Sequence, residues 1–181
     1  MVTFKKARKE IYLELSQSLK NLYLGTFTKG LSAQHINDEE AGLYLDKLFT
    51  KGYGIFGFSD DQLVAALIVT PPSFDKERPE SIQNKFSDKD SLYIAEVLVD
   101  DKFRGMGLGK GLFKEFEINL SSDIKYVLLR VWSKNEIAVN LYKKFGFEDC
   151  GSILQEKLKP VSKEPFKMLK LYMVKPYSKL L

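Results

Sequence analysis

Hydrophobic and polar positions follow two periods along this chain, and the changes between them outline its elements. Residues 2–7 read as a short first strand. From Arg8 to Leu24, the apolar positions Ile11, Leu15, Leu19 and Leu22 recur at helical spacing. Asn37 or Asp38 then supplies an N-cap, with Glu39 and Glu40 in the first turn of a second helix. The segment EEAGLYLDKLFTKG sets Leu45, Leu48 and Phe49 on one face and closes at Gly52. YGIFGFS (53–59) and QLVAALIV (62–69) predict two strands joined by a turn at Asp60-Asp61, and Pro71-Pro72 stops the second.

Residues 73–91 are polar, charged and Pro-containing, with one short helical stretch near Ile82–Phe86. A loop this long in a folded domain is either functional or mobile. LYIAEVLV (92–99) reads as a nearly continuous buried strand. Leu108, Leu112, Phe116 and Leu120 then fall four apart and predict a helix with a single apolar stripe. YVLLRVWS (126–133) is a further strand. NEIAVNLYKKFG predicts a short helix with Ile137, Leu141 and Phe145 aligned and Gly146 after its end. Two tail strands, near 151–158 and 167–174, flank KPVSKEP. The order β-α-α-β-β-β-α-β-α-β-β is neither doubly wound nor a sandwich, and it predicts one α+β (mixed α/β) domain over 1–181.

The 181 residues are 44% hydrophobic and 13% aromatic, enough for a substantial core, so global disorder is excluded. A net charge of +4 suits an anionic ligand but falls short of a dedicated nucleic-acid binder, and the charge is scattered rather than interleaved with aromatics. No nucleic-acid partner is therefore expected. Cys150 is the single cysteine, which rules out an intrachain disulfide and reads as a small buried hydrophobe. With His35 the only histidine, no zinc spacing can be assembled and no metal is expected. MVTFKKARKE lacks the apolar core of a secretory signal, and no apolar run reaches the ~20 residues of a membrane helix. These features predict a cytoplasmic protein with no membrane partner.

The local demand that stands out is FRGMGLGKGL (103–112), where Gly105, Gly107, Gly109 and Gly111 alternate between a strand and a helix. The first turn of a helix offers N–H groups without intrahelical partners and a partial positive charge, and glycine lets an anion approach the main chain closely. Walker A fails, because Lys110 is followed by Gly111 and Arg104 stands where the first glycine belongs. The dinucleotide fingerprint fails in both registers, at Lys110 and at Leu112.

The spacing that does fit is R-x-x-G-x-G, as Arg104, Gly107 and Gly109. The stretch AEVLVDDKFRGMGLGKGL resembles motif A of the GNAT superfamily of N-acetyltransferases. VLLRVWSKNEIAVNLYKKFGF resembles its motif B through Asn135, Ala138, Leu141, Tyr142 and Gly146-Phe147. The resemblance spans residues 92–147 and implies a GNAT-like fold, a mixed, mostly antiparallel twisted sheet of about six to seven strands flanked by about four helices. It implies acetyl-coenzyme A as co-substrate, with direct attack by a primary amine in a ternary complex. The alternative is a non-catalytic acyl-coenzyme A sensor of the same fold.

Carried onto this chain, the resemblance gives pyrophosphate binding to the backbone of Arg104, Gly105, Met106, Gly107, Leu108, Gly109 and Lys110. It makes Leu98 and Val99 backbone partners of the pantetheine arm, a form of strand addition. Lys110, Lys143 or Lys144 meets the 3′-phosphate. Tyr142 matches the family's general acid and also contacts the cofactor; as an unperturbed phenol it is protonated at neutral pH. Asn135 caps its helix, hydrogen-bonds near the cofactor, or does both. Glu96, a carboxylate between the apolar same-face neighbours Ile94 and Leu98, is the candidate base, because burial raises a carboxyl pKa; a water chain is the alternative. The resemblance puts the acceptor site in 8–52 and 73–91, where Asn37–Glu40 and Asp88–Asp90 are acidic. A small-molecule or peptide amine, and a monomer or homodimer, fit these expectations equally.

Overall fold

In the computed structural model, which describes residues 1–30 and 32–177, residue 31 and residues 178–181 lie outside the described residues. The strands are β1 (Val2–Ala7), β2 (Tyr53–Ser59), β3 (Gln62–Thr70), β4 (Ser91–Val99), β5 (Tyr126–Trp132), β6 (Glu148–Leu158) and β7 (Pro165–Pro176). The helices are α1 (Lys9–Phe27), α2 (Asp38–Lys51), α3 (Glu80–Lys85), α4 (Leu108–Ile118) and α5 (Glu136–Lys144). All seven strands join one sheet in the order β1-β2-β3-β4-β5-β7-β6. Only β4 and β5 pair in parallel, with α4 as the crossover a parallel pair requires.

Local chemistry accounts for most boundaries. Asn37 caps α2, its Oδ1 accepting from the N–H groups of Glu39 at 2.9 Å and Glu40 at 3.1 Å. Asp60 and Asp61 both take positive φ, the conformation a two-residue hairpin demands and aspartate tolerates. The long polar stretch after β3 is more ordered than its composition suggests. A turn at Pro72–Phe74 and then α3 carry it back to β4, and α3 is the fifth helix among the described residues, in keeping with the expected sheet flanked by about four helices.

Each face of the sheet has its own core. Helices α1 and α2 bury Leu19, Leu45, Leu48 and Phe49 against Phe56, Ala66, Ile68 and Leu98. Farther along the same face, Ile82 and Phe86 cover Tyr93, Leu128 and Tyr172. On the opposite face, Leu112, Phe113 and Phe116 of α4 pack on Ile55, Leu67, Val69 and Ile94. Leu120 lies just past α4 and still packs on this core. The expected stripe on α5 is corrected: Ile137 is 87% exposed, and Tyr142 is the buried residue, with Ala138 and Phe145 packed beside it. A line of residues spaced by four drifts around a helix, and Ala138, Tyr142 and Phe145 at i, i+4 and i+7 keep to one face.

Candidate active site

The sheet is whole only along part of its centre. β4 and β5 pair from Ser91↔Tyr126 to Ile94↔Leu129 and then separate, while β5 stays paired with β7 as far as Trp132↔Lys170. The separation coincides with a bulge. Ile68 stands opposite Glu96 and Val69 opposite Ile94, so Ala95 is an extra residue in β4. A bulge bends its strand and resets the alternation of side chains. Ile94 packs with α4 on one face, while Glu96 shares the register of Ile68, on the face covered by α1 and α2. This corrects the expectation that Ile94 and Glu96 are same-face neighbours; Leu98 is one, and Ile94 is not.

The gap between the strands is a cleft lined by Glu96 and Ala95 of β4 and by Arg130 and Trp132 of β5. Asn135 and Tyr142 contribute from the α5 side, and Phe27, Gln34, Met168 and Lys170 from the other. Because Glu96 and Tyr142 belong to opposite faces yet line one cleft, the cleft runs through the sheet. Beyond Ile94, the edge of β4 that faces β5 carries no ladder partner. Leu98 is wholly buried against α1 and α2, and Val99 follows it in β4, opposite Ala65 of β3.

The glycine loop lies between β4 and α4. Gly105 and Gly107 have φ of +76° and +78°, which side chains rarely adopt, and a Cβ on either would meet nothing within 4 Å. Gly107 is the N-cap of α4 and no side chain caps the helix, so the first-turn N–H groups of Leu108, Gly109 and Lys110 have no side-chain acceptor among the described residues. Arg104, at the end of the preceding turn, pairs with Asp101 at 2.8 Å, and Met106 is exposed. At Gly109 and Gly111 the missing Cβ makes room for packing. A Cβ on Gly109 would stand 3.0 Å from Leu141 of α5, and one on Gly111 would strike the Phe4 ring. The alternating glycines thus divide between an open cradle and close helix packing, and Leu141 brings the cradle against the residue next to Tyr142.

Electrostatics set the states of the polar groups. Burial raises the Glu96 carboxyl to about 7, against a lowering hydrogen bond from Tyr44 and the opposing charges of Lys170, Arg130 and Lys157. The Tyr44 hydroxyl donates to Glu96 Oε1 at 2.7 Å. Tyr142 is 7% exposed, and burial, then the nearby Glu96 charge, push its phenol well above the usual range, so it is protonated at neutral pH. Asn135 Oδ1 accepts from the N–H of Ala138 at 3.3 Å, which makes it the cap of α5 while it also borders the cleft. Arg130 is tied down: its Nη1 contacts Asp75 Oδ1 at 3.2 Å, Glu77 Oε2 at 3.0 Å and the Tyr172 hydroxyl at 3.2 Å. Among the described residues, no group of His, Cys, Asp or Glu could hold a metal ion. Cys150 is half-buried and free, with burial raising its thiol to about 11.

Comparison with known proteins bears on this geometry. The family model described as Acetyltransferase (GNAT) family matches residues 16–147. The chain belongs to the GNAT acetyltransferase family. This acetyltransferase is 28% identical over 64 residues to a spermine/spermidine N(1)-acetyltransferase of Bacillus subtilis, a match covering 34% of this chain and 42% of that protein. The chain therefore spans less than half of that relative. Its fold matches a ribosomal-protein-alanine N-acetyltransferase from Brucella melitensis, with a TM-score of 0.68 and 19% identity over 97% of this chain and 99% of that one. It also matches the PaiA N-acetyltransferase from Thermoplasma acidophilum in complex with coenzyme A, with a TM-score of 0.63 and 12% identity over 98% and 99% of the two chains.

Sequence reasoning missed Tyr44, Arg130, Met168 and Lys170 of this acetyltransferase. It placed one acceptor wall in 8–52, where Phe27 and Gln34 do border the cleft, but assigned no wall to the β6–β7 hairpin. Arg130 in VLLRVW and Lys170 in MLKLYM are charges inside apolar strands, the same signal that singled out Glu96. Among the described residues, no helix is long and apolar enough to cross a membrane.

The glycine cradle is tested by a matched pair of variants. Gly107→Asn and Gly107→Asp place side chains of similar shape at the same positive φ, and only the aspartate adds charge. Calorimetric titration is expected to give coenzyme A affinity at least about tenfold weaker for Gly107→Asp than for Gly107→Asn, a difference of about 1.4 kcal/mol. Equal affinities would move the anion site elsewhere.

Proposed function

We propose that the chain acts as one catalytic unit over 1–181 that transfers the acetyl group of acetyl-coenzyme A to a primary amine by direct attack in a ternary complex. The observation that carries this reading is the cleft through the sheet. It offers a strand edge without a ladder partner to one substrate and a carboxylate on the opposite face to the other, and the start of α4, after β4, has no side-chain cap. The same arrangement supports Arg104, Gly105, Met106, Gly107, Leu108, Gly109 and Lys110 as the pyrophosphate cradle, with Leu98 and Val99 as main-chain partners of the pantetheine arm. Asn135 holds the start of α5 beside them.

Each proton has an assigned place. Glu96 takes a proton from the arriving ammonium, freeing the lone pair that attacks the acetyl carbonyl carbon. The new C–N bond forms and the C–S bond breaks. Tyr142 gives its hydroxyl proton to the departing thiolate and recovers one from the acylated nitrogen. A base near neutrality matches this task, since it is partly ionised at working pH and strong enough to accept a proton. Reaction in a ternary complex needs no covalent acyl-enzyme, and no cysteine borders the cleft.

Thermal unfolding with acetyl-coenzyme A, against ATP and NAD as controls, tests the binding half. Ligand at 100 times its dissociation constant adds about 2.7 kcal/mol, a rise of several degrees for a domain of this size. A shift with acetyl-coenzyme A alone, followed by thiol release with an amine panel, is expected. A shift without any thiol release would favour the non-catalytic sensor. Tyr142→Phe is expected to lower kcat by about a hundredfold while the dissociation constant of coenzyme A changes little; equal losses in both would make Tyr142 structural.

The base assignment predicts a pH profile. The active form is the carboxylate, so kcat/KM is expected to rise with pH through an apparent pKa near 7. Tyr44→Phe removes a hydrogen bond that stabilises the carboxylate, so the rise is expected at higher pH in that variant. Glu96→Gln is expected to lose the rise altogether. A profile unmoved by either substitution would assign deprotonation to water.

A further inference from the structure

On the acceptor side of the cleft, opposite charges are unequally satisfied. Asp75 accepts from the Tyr172 hydroxyl at 2.7 Å and from Arg130. Glu77 accepts from Arg130 and from Gln155. The carboxylates are therefore already bonded, and they consume the one guanidinium present. Lys170 lines the cleft with Glu96 and has no ion pair or side-chain hydrogen bond among the described residues. Lys157 is equally unengaged. It lies on β6 opposite Phe166, and the register Lys170↔Ile153, Met168↔Gln155, Phe166↔Lys157 puts both lysines on one face of the hairpin. Both are half-buried.

Half-burying each of these ammonium groups costs desolvation, and neighbouring positive charge adds to that cost. Burial, then Lys157 and Arg130, bring Lys170 down to about 8, and burial and Arg130 also lower Lys157. Neither cost is offset by a protein anion in hydrogen-bonding contact. Glu96, the nearest acidic group on the cleft floor, makes its hydrogen bond with Tyr44 and approaches neither lysine to within ion-pair distance. An anion beside Lys170 lowers that cost, and it would stand on the same sheet face as Glu96, the face opposite α4.

We propose that the acceptor is an amino compound that also carries a carboxylate, with Lys170, supported by Lys157, binding the carboxylate while Glu96 faces the amine. The inference rests on the amine-acetylation reading above and narrows its substrate class. It disfavours polyamines, whose second and third ammonium groups would meet Lys170, Lys157 and Arg130. It also gives the β6–β7 hairpin a specificity role, since that hairpin supplies both lysines. The His35 N–H donates to the Leu158 carbonyl at 2.7 Å, which ties the α1–α2 connection to the hairpin.

The test uses matched amines with the 181-residue protein and acetyl-coenzyme A: glycylglycine against glycylglycinamide, 4-aminobutanoate against 1-aminobutane, and 1,4-diaminobutane. The carboxylate member of each pair is expected to exceed its uncharged partner by at least about tenfold in kcat/KM, with the diamine lowest. Lys170→Met is expected to bring the ratio within each pair near unity, and Lys170→Arg to restore it in part. Acetyl-coenzyme A should still raise the melting temperature of both variants, which shows that they fold. Equal or faster turnover of the uncharged partners or the diamine overturns the proposal and leaves the acetyltransferase reading standing. So does a fall in Lys170→Met that is equal for both members of a pair, which would make Lys170 a tuning charge for Glu96. No turnover of any member overturns the substrate class, and loss of the thermal shift in the unmodified protein as well overturns the acetyltransferase reading with it.

Discussion

The central sheet holds together only as far as Ile94 and Leu129, because one extra residue, Ala95, bends β4 away from its parallel neighbour. Every element of the site depends on that bend. It frees a strand edge in the middle of a sheet, where an unpaired edge is normally avoided. It moves Glu96 from the face of Ile94 to the face of Ile68, and it opens a passage on which groups from both faces converge. The cores on either side tolerate the gap because each is anchored elsewhere: α1 and α2 rest on β2 and β3, and α4 rests on β1 to β4.

A gap lined by charge needs its surroundings satisfied. The segment after β3 does this through Asp75 and Glu77, which hold Arg130 against the cleft wall, with Tyr172 and Gln155 completing the network. The long polar stretch is therefore structural as well as peripheral to the acceptor side. Burying a charge is costly unless it is paired and hydrogen-bonded, and this network meets that condition for Arg130 and its two carboxylates. Glu96 is only partly relieved, by the Tyr44 hydrogen bond and the more distant charges of Lys170, Arg130 and Lys157, and its raised pKa follows from burial outweighing them. The chemistry proposed for it draws on the same incomplete compensation.

Most elements were legible in the sequence for local reasons. Asn37 announces its helix because a cap acts within three residues, and Asp60-Asp61 announces its hairpin because positive φ is a local demand. The glycine loop and Tyr142 were legible through motif spacing, and Glu96 through a charge set in an apolar strand. The face on which Glu96 lies was not, since a bulge breaks the period of two without any mark in LYIAEVLV. The role of Ile137 was misjudged for a similar reason: spacing by four does not reveal which side of a nine-residue helix meets the sheet. Gly109 and Gly111 looked equivalent to Gly105 and Gly107 until Leu141 and Phe4 were seen against them.

By itself, the sequence determined the succession of strands and helices, the mixed sheet, the glycine-rich start of α4 and the family resemblance. Each of these is carried by residues near one another in the chain, through hydrogen bonds, dihedral preferences or amphipathic period. The tertiary structure alone decided that β4 and β5 part company, that Glu96 and Tyr142 look into one cleft from opposite faces, and that Lys170 borders it. Those facts join residues tens of positions apart. Register, burial and the local dielectric are properties of the packed sheet, and no single segment carries them.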